Sequence, residues 1–227
     1  MKFLHFLTLI FSSVFLLSVR SDVALASYAG QARVFKIMLD PAGDASHPGR
    51  IIEDAFERTI TLELAHALAH QIEQLAPNTR VIITRTGNET IRPHQNANFA
   101  NRLDVDLFIS LHCYQEQQPR PQLAIYTFSY GDYTPSRIQD LAFYPYDQAY
   151  LLAGGTTQKY AQAIEATLKQ YAKQFDLVGA FGIPFKPLIG VKAPAIGIEL
   201  GLKNKQGWQS FIAPLAQAVV GIVGAGA

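Results

Sequence analysis

Hydrophobic and polar positions along the chain alternate between two kinds of stretch. Short apolar runs stand at Val34–Leu39, Arg80–Thr84, Leu107–Ile109, Leu123–Tyr130 and Pro194–Gly201. Such runs, bounded by turn formers, predict buried strands. Between them lie stretches with apolar residues every three or four positions. Phe56, Ile60, Leu64, Leu68, Ile72 and Leu75 predict a helix from Asp54 to Leu75, ended by Pro77. Pro93–Arg102 predicts a second helix, and Thr156–Phe175 a third, with Tyr160, Ile164, Leu168, Tyr171 and Phe175 on one stripe. Trp208–Val220 predicts the last helix, and Phe185–Val191 a short strand and bend. Strand–helix–strand alternation predicts an α/β fold: one domain, residues 27–227, with a mostly parallel twisted sheet and helices on both faces. The Leu123–Tyr130 strand belongs near an edge.

Composition adds bounds. Of 227 residues, 16% are charged and 49% hydrophobic, with a formal charge of +1, as in a globular chain. No basic block interleaves with aromatics, so nucleic acid is not an expected partner. Lys2, an apolar run to Val19 and Ala24-Leu25-Ala26 form a signal peptide pattern over residues 1–26. Cleavage before Ser27 removes Lys2, Arg20 and Asp22 from 19 basic and 18 acidic side chains, leaving 17 of each. The expected address is periplasmic or extracellular, with no membrane span left after cleavage.

Candidate chemistry gathers where strands end, since ligands of open α/β sheets sit beyond the carboxyl ends. His112 ends the central strand, and a strand-end imidazole serves as a metal ligand or as a buried cap. Cys113 is the only cysteine; it points to the opposite sheet face and reads as a core thiol. Asp40, Asp44 and His47 lie in or beside the turn-rich loop after the first strand. Glu57 follows that loop in the first helical turn, where the helix dipole favours a carboxylate. Glu199 interrupts the last apolar strand, and a buried carboxylate needs a partner, for which a metal or its water suffices. His66 and His70 have metal-pair spacing but fall opposite the helix's apolar face, on the surface. The stretch Gly131–Gly155 holds Tyr133, Phe143, Tyr144, Tyr146 and Tyr150, either a sugar- or peptide-binding loop or a flap packed by its own aromatics.

Four segments together resemble the zinc-dependent N-acetylmuramoyl-L-alanine amidases that cut peptidoglycan. They are LDPAGDA at 39–45, ERTITLELA at 57–65, ANRLDVDLFISLH at 100–112 and KAPAIGIELGLKNK at 192–205. The resemblance implies zinc held by Glu57 and His112, and Glu199 as the catalytic acid–base. It also implies a histidine after the first strand, in Asp-Pro-Gly-His-Gly, where this chain has Asp40-Pro41-Ala42-Gly43-Asp44. Gly43 stands at the histidine position, so the first ligand motif is altered. His47 is the preferred substitute and Asp44 the alternative. The implied function is metal-assisted hydrolysis of the amide between N-acetylmuramic acid and L-alanine. The other readings are a weak or inactive amidase-like protein that binds peptidoglycan or regulates an amidase, and a related metallopeptidase.

Overall fold

Ile37, Met38 and Leu39 stand side by side in the first strand because both of its faces are covered there. The computed structural model describes residues 33–92, 94–130 and 145–225. The expected leader, 1–26, and most of the tyrosine-rich stretch, 131–144, lie outside the described residues. In chain order the strands are β1 (Phe35–Pro41), β2 (Ile51–Ile52), β3 (Ala55–Phe56), β4 (Thr79–Ile83), β5 (Leu107–Gln115), β6 (Gln122–Phe128), β7 (Asp176–Ile183) and β8 (Ala195–Leu202). The α-helices are α1 (Glu57–Leu75), α2 (Gln95–Leu103), α3 (Gly154–Leu168) and α4 (Ile212–Ala225). Six strands form one sheet in the order β4-β1-β5-β8-β6-β7, and β2 and β3 form a separate hairpin. All neighbours in the large sheet are parallel except β6 and β8. The mostly parallel α/β reading therefore holds.

Helices α1, α3 and α4 cover one face, on Ile37, Leu39, Ile109, Leu111, Ile198 and Leu200. Helix α2 covers part of the other, on Met38 and Phe108. In α1 the buried stripe is Ile60, Leu64, Leu68 and Ile72. Burying each such side chain contributes about 1.5–3 kcal/mol. Phe56 and Leu75, placed on that stripe by spacing, are exposed. The helix starts three residues later than its periodicity predicts, because 51–56 turns back on itself as the hairpin. His66 and His70 are exposed, as read.

Three other expectations change. Residues 176–183 form the edge strand β7, so β6 lies inside the sheet. Glycines and the lack of apolar alternation in DLVGAFGI hid it, as edge strands need no second buried face. Phe185–Val191 is not a strand but a 3-10 turn, Lys186–Leu188, within an extended loop. The third helix stops at Leu168, followed by a 3-10 turn, and Phe175 is buried beyond it. Of the tyrosines, Tyr146 packs edge-on to His94 and Tyr150 to Phe128, on the face that α2 covers.

By length and composition Gly207–Gly224 is apolar enough to cross a membrane. Its residues Phe211, Leu215, Ala216, Val219 and Ile222 are buried in the core shared with α1 and α3, as in a core helix.

Candidate functional site

Sheet register brings together residues far apart in the chain. In the parallel pair β5/β8, His112 is the partner of Glu199. Register partners project from the same face, so imidazole and carboxylate stand side by side. That face is the one Ser110 and Asp40 also share. Glu199 has glycines two residues away on either side. A Cβ at Gly197 would sit 2.4 Å from Cε1 of Phe185, and one at Gly201 2.6 Å from a Glu116 oxygen. The bare Gly197 lets the Phe185 ring lie against the sheet, edge-on to His112 at 5.0 Å and stacked on Tyr126 at 5.1 Å. The site thus has an apolar ring packed beside its polar groups.

Glu57, the first residue of α1, points its carboxylate back onto β5. Its Oε1 accepts the Cys113 N–H at 3.0 Å and lies 3.4 Å from His112 Nδ1. Its Oε2 accepts the Arg50 N–H at 3.0 Å. On the other side of the ring, His112 Nε2 is 3.1 Å from Ser110 Oγ, which donates to Asp40 Oδ2 at 3.3 Å. A hydroxyl has one proton. Given to Asp40, it leaves the serine oxygen to accept from Nε2–H, and Nδ1 then faces Glu57. Imidazole nitrogen and carboxylate oxygen at that distance need a proton or a cation between them. Burial works to raise the pKa of Glu57, but hydrogen bonds from His112 and from the Arg50 and Cys113 N–H groups outweigh it and hold the carboxyl below its ordinary range. Cys113 itself points into the core, and burial pushes its thiol pKa far up, as suits an inert core thiol.

Glu199 finds its partners within the protein. Arg50 Nη1 donates to Oε1 at 2.5 Å and the Tyr126 hydroxyl to Oε2 at 2.8 Å. Burial first, then the bond to Glu199, pushes the Tyr126 pKa up to about 12, so the phenol stays a donor at neutral pH. Neither Arg50 nor Tyr126 stands out in the sequence. Arg50 is one charge in a turn-rich loop, 149 residues from Glu199. The alternation of LAIYTFSY marks a strand face for Tyr126, but not which neighbour it meets.

The loop after β1 is packed against α1 and the residues that follow β4. Arg85 donates to the carbonyls of Pro41, Ala42 and Arg58, and Thr61 Oγ1 to that of Ala42. Gly43 has φ +77°, and a Cβ there would meet the Arg58 Cβ at 2.8 Å. The carboxylate of Asp44 accepts the N–H groups of Ser46, His47 and Ile91. The His47 side chain is 81% exposed, with Nδ1 3.2 Å from Asp44 Oδ1. Glu57, His112 and Glu199 are thus brought together, while His47 and Asp44 pair with each other. Among the described residues, no three His, Cys, Asp or Glu side chains converge to hold a metal ion. A catalytic zinc site usually keeps three protein ligands and a water. Two donors, Glu57 and His112, face each other here, so the described residues do not fit the zinc that the resemblance implies.

His112 and Glu199 lie within their strands, three residues short of the ends expected for them, and with the helix-start Glu57 and the Tyr126 phenol they form a polar cluster suited to acid–base work. The chain belongs to the N-acetylmuramoyl-L-alanine amidase family, which it matches over residues 37–210. Over 77 residues it is 32% identical to the N-acetylmuramoyl-L-alanine amidase CwlM of Bacillus licheniformis. It is 30% identical over 77 residues to a sporulation-specific N-acetylmuramoyl-L-alanine amidase of Bacillus subtilis. Each of these matches spans 34% of this chain and only 30% of the relative. The fold is also that of an N-acetylmuramoyl-L-alanine amidase from Clostridium difficile 630, with TM-score 0.58 and 20% identity over 86% of this chain and 97% of that one. An N-acetylmuramyl-L-alanine amidase from Mycobacterium smegmatis gives TM-score 0.64 and 13% identity over 86% of this chain and all of the other.

Proposed function

We propose that this chain hydrolyses the amide bond between N-acetylmuramic acid and L-alanine in peptidoglycan. Family membership supports the reaction class. The observation that carries the reading is that Glu57 and Glu199 both approach His112, the first from a helix start at 3.4 Å from Nδ1 and the second as its register partner on the neighbouring strand. Glu199 is the proton carrier: it takes a proton from the attacking water and passes it to the leaving amine. The Tyr126 hydroxyl orients one of its oxygens. Glu57 and His112 lie beside it, with the Phe185 ring edge-on to His112, and His47 from the loop would have to swing inward to join them. No step is assigned to zinc, for which the described residues bring no third donor to Glu57 and His112. Peptidoglycan lies outside the cytoplasmic membrane, so the reading carries an exported address, in keeping with the leader pattern at residues 1–26.

The test is release of stem peptides from purified peptidoglycan by the chain from Ser27 onward. Glu199→Gln keeps the size of the side chain and loses the base, so the rate should fall by about 100-fold or more. Equal release by both proteins would remove Glu199 from the mechanism.

A second reading has its own observation: Glu199 is already ion-paired with Arg50. In that reading the chain binds peptidoglycan strands without cutting them. Sedimentation of the chain with insoluble peptidoglycan, with no soluble peptide released, would favour it.

A further inference from the structure

One residue links the two carboxylates of the site. The backbone N–H of Arg50 is bonded to Glu57 and its guanidinium to Glu199. The same Nη1 reaches the Cys113 carbonyl at 3.5 Å, and the guanidinium carbon lies 5.8 Å from the centre of the Tyr114 ring. The loop that delivers Arg50 is seated tightly. Gly49 has φ +78°, and a Cβ there would lie 2.6 Å from Glu57 Oε2. Both Glu57 oxygens are therefore engaged by protein N–H groups, and the space over Oε2 is filled by backbone. Meanwhile the position after β1 offers no side chain, and the backbone there is closed against Arg58.

We infer that Arg50 is the resident cation of this site, its guanidinium paired with Glu199 and its backbone N–H bonded to Glu57, so that the site keeps its arrangement without zinc. A guanidinium is charged at every physiological pH and offers five N–H donors in a fixed plane. It satisfies Glu199, which would otherwise be a half-buried carboxylate without a cationic partner. Its side chain is 53% exposed, which leaves other N–H groups open to solvent. The inference rests on this being the family's site, but its readouts do not depend on cleavage.

The experiment loads the chain from Ser27 onward with zinc chloride, removes free metal by desalting, and measures bound zinc and thermal unfolding with and without EDTA. Wild type should retain less than about 0.1 zinc per chain and unfold at the same temperature in EDTA. Arg50→Ala removes the positive charge that stands beside these groups and repels a divalent ion, so bound zinc should rise at least about fivefold and zinc should raise its unfolding temperature. Arg50→Lys keeps the charge and should exclude zinc as wild type does, while Arg50→Gln loses the charge at similar size and repeats the measurement where Arg50→Ala does not fold. About one zinc per wild-type chain, or equal zinc contents in wild type and a folded Arg50→Ala or Arg50→Gln, overturns the inference. So does an Arg50→Lys variant that takes up zinc. Peptide release that EDTA abolishes and zinc restores would sink the inference while upholding the amidase reading. Zinc exclusion without any peptide release would do the reverse.

Discussion

At the scale of single residues, the loop after β1 turns on Asp44. Its carboxylate accepts three backbone N–H groups, from Ser46, His47 and Ile91, and so ties two loops together. Asp44→Ala leaves those donors unpaired and should cost about 1–3 kcal/mol in urea unfolding; an unchanged midpoint would show that the carboxylate carries no such load. Burial works against ionisation of Asp44, but the hydrogen bonds from Ile91, His47 and Ser46 prevail and set its pKa below the ordinary 3.8. The sign follows from that direction. The folded state favours the ionised form, so this stability is complete above pH 3.8 and is lost as pH falls through the lower, folded value. Wild type should therefore lose stability below about pH 4 more steeply than Asp44→Asn, and parallel acid unfolding curves would contradict it. Glu57, His112 and Glu199 could be picked out by residue type and setting, because each departs from the pattern around it. Arg50 and Tyr126 could not, because their roles come from what they touch.

Among the elements, α1 supplies both core and site. Its inner stripe holds Leu64 with no exposure, and its first residue is Glu57. Leu64→Ala should cost about 2–5 kcal/mol, measured by denaturant unfolding; a loss well under 1 kcal/mol would mean that the helix packs elsewhere. Gly49, just before the hairpin, holds a left-handed backbone against the Glu57 carboxylate. Gly49→Ala should destabilise by about 1–3 kcal/mol, since the methyl group meets both strain and the carboxylate. No loss of stability would count against this packing of the loop. Long periodic elements such as α1 were readable because a buried face imposes a repeat. The hairpin and β7 were not, because two-residue strands and a half-exposed edge strand have no repeat to impose.

In the molecule as a whole, the centre of the sheet should be the most stable part. Amides of Phe108–Leu111 in β5 and Ile196–Ile198 in β8, paired on both sides, should exchange hydrogen last, and those of the edge strand β7 first. A reversed order would contradict the strand order. Sequence alone determined the α/β class, the parallel core strands and the main helices, and it singled out Glu57, His112 and Glu199. These follow from local periodicity and from side chains that break it. Tertiary structure decided the strand order, the one antiparallel neighbour, and which groups complete the site. A guanidinium reaching Glu199 and a glycine turn closed against Arg58 depend on distances across the fold, and spacing along a chain does not encode those distances.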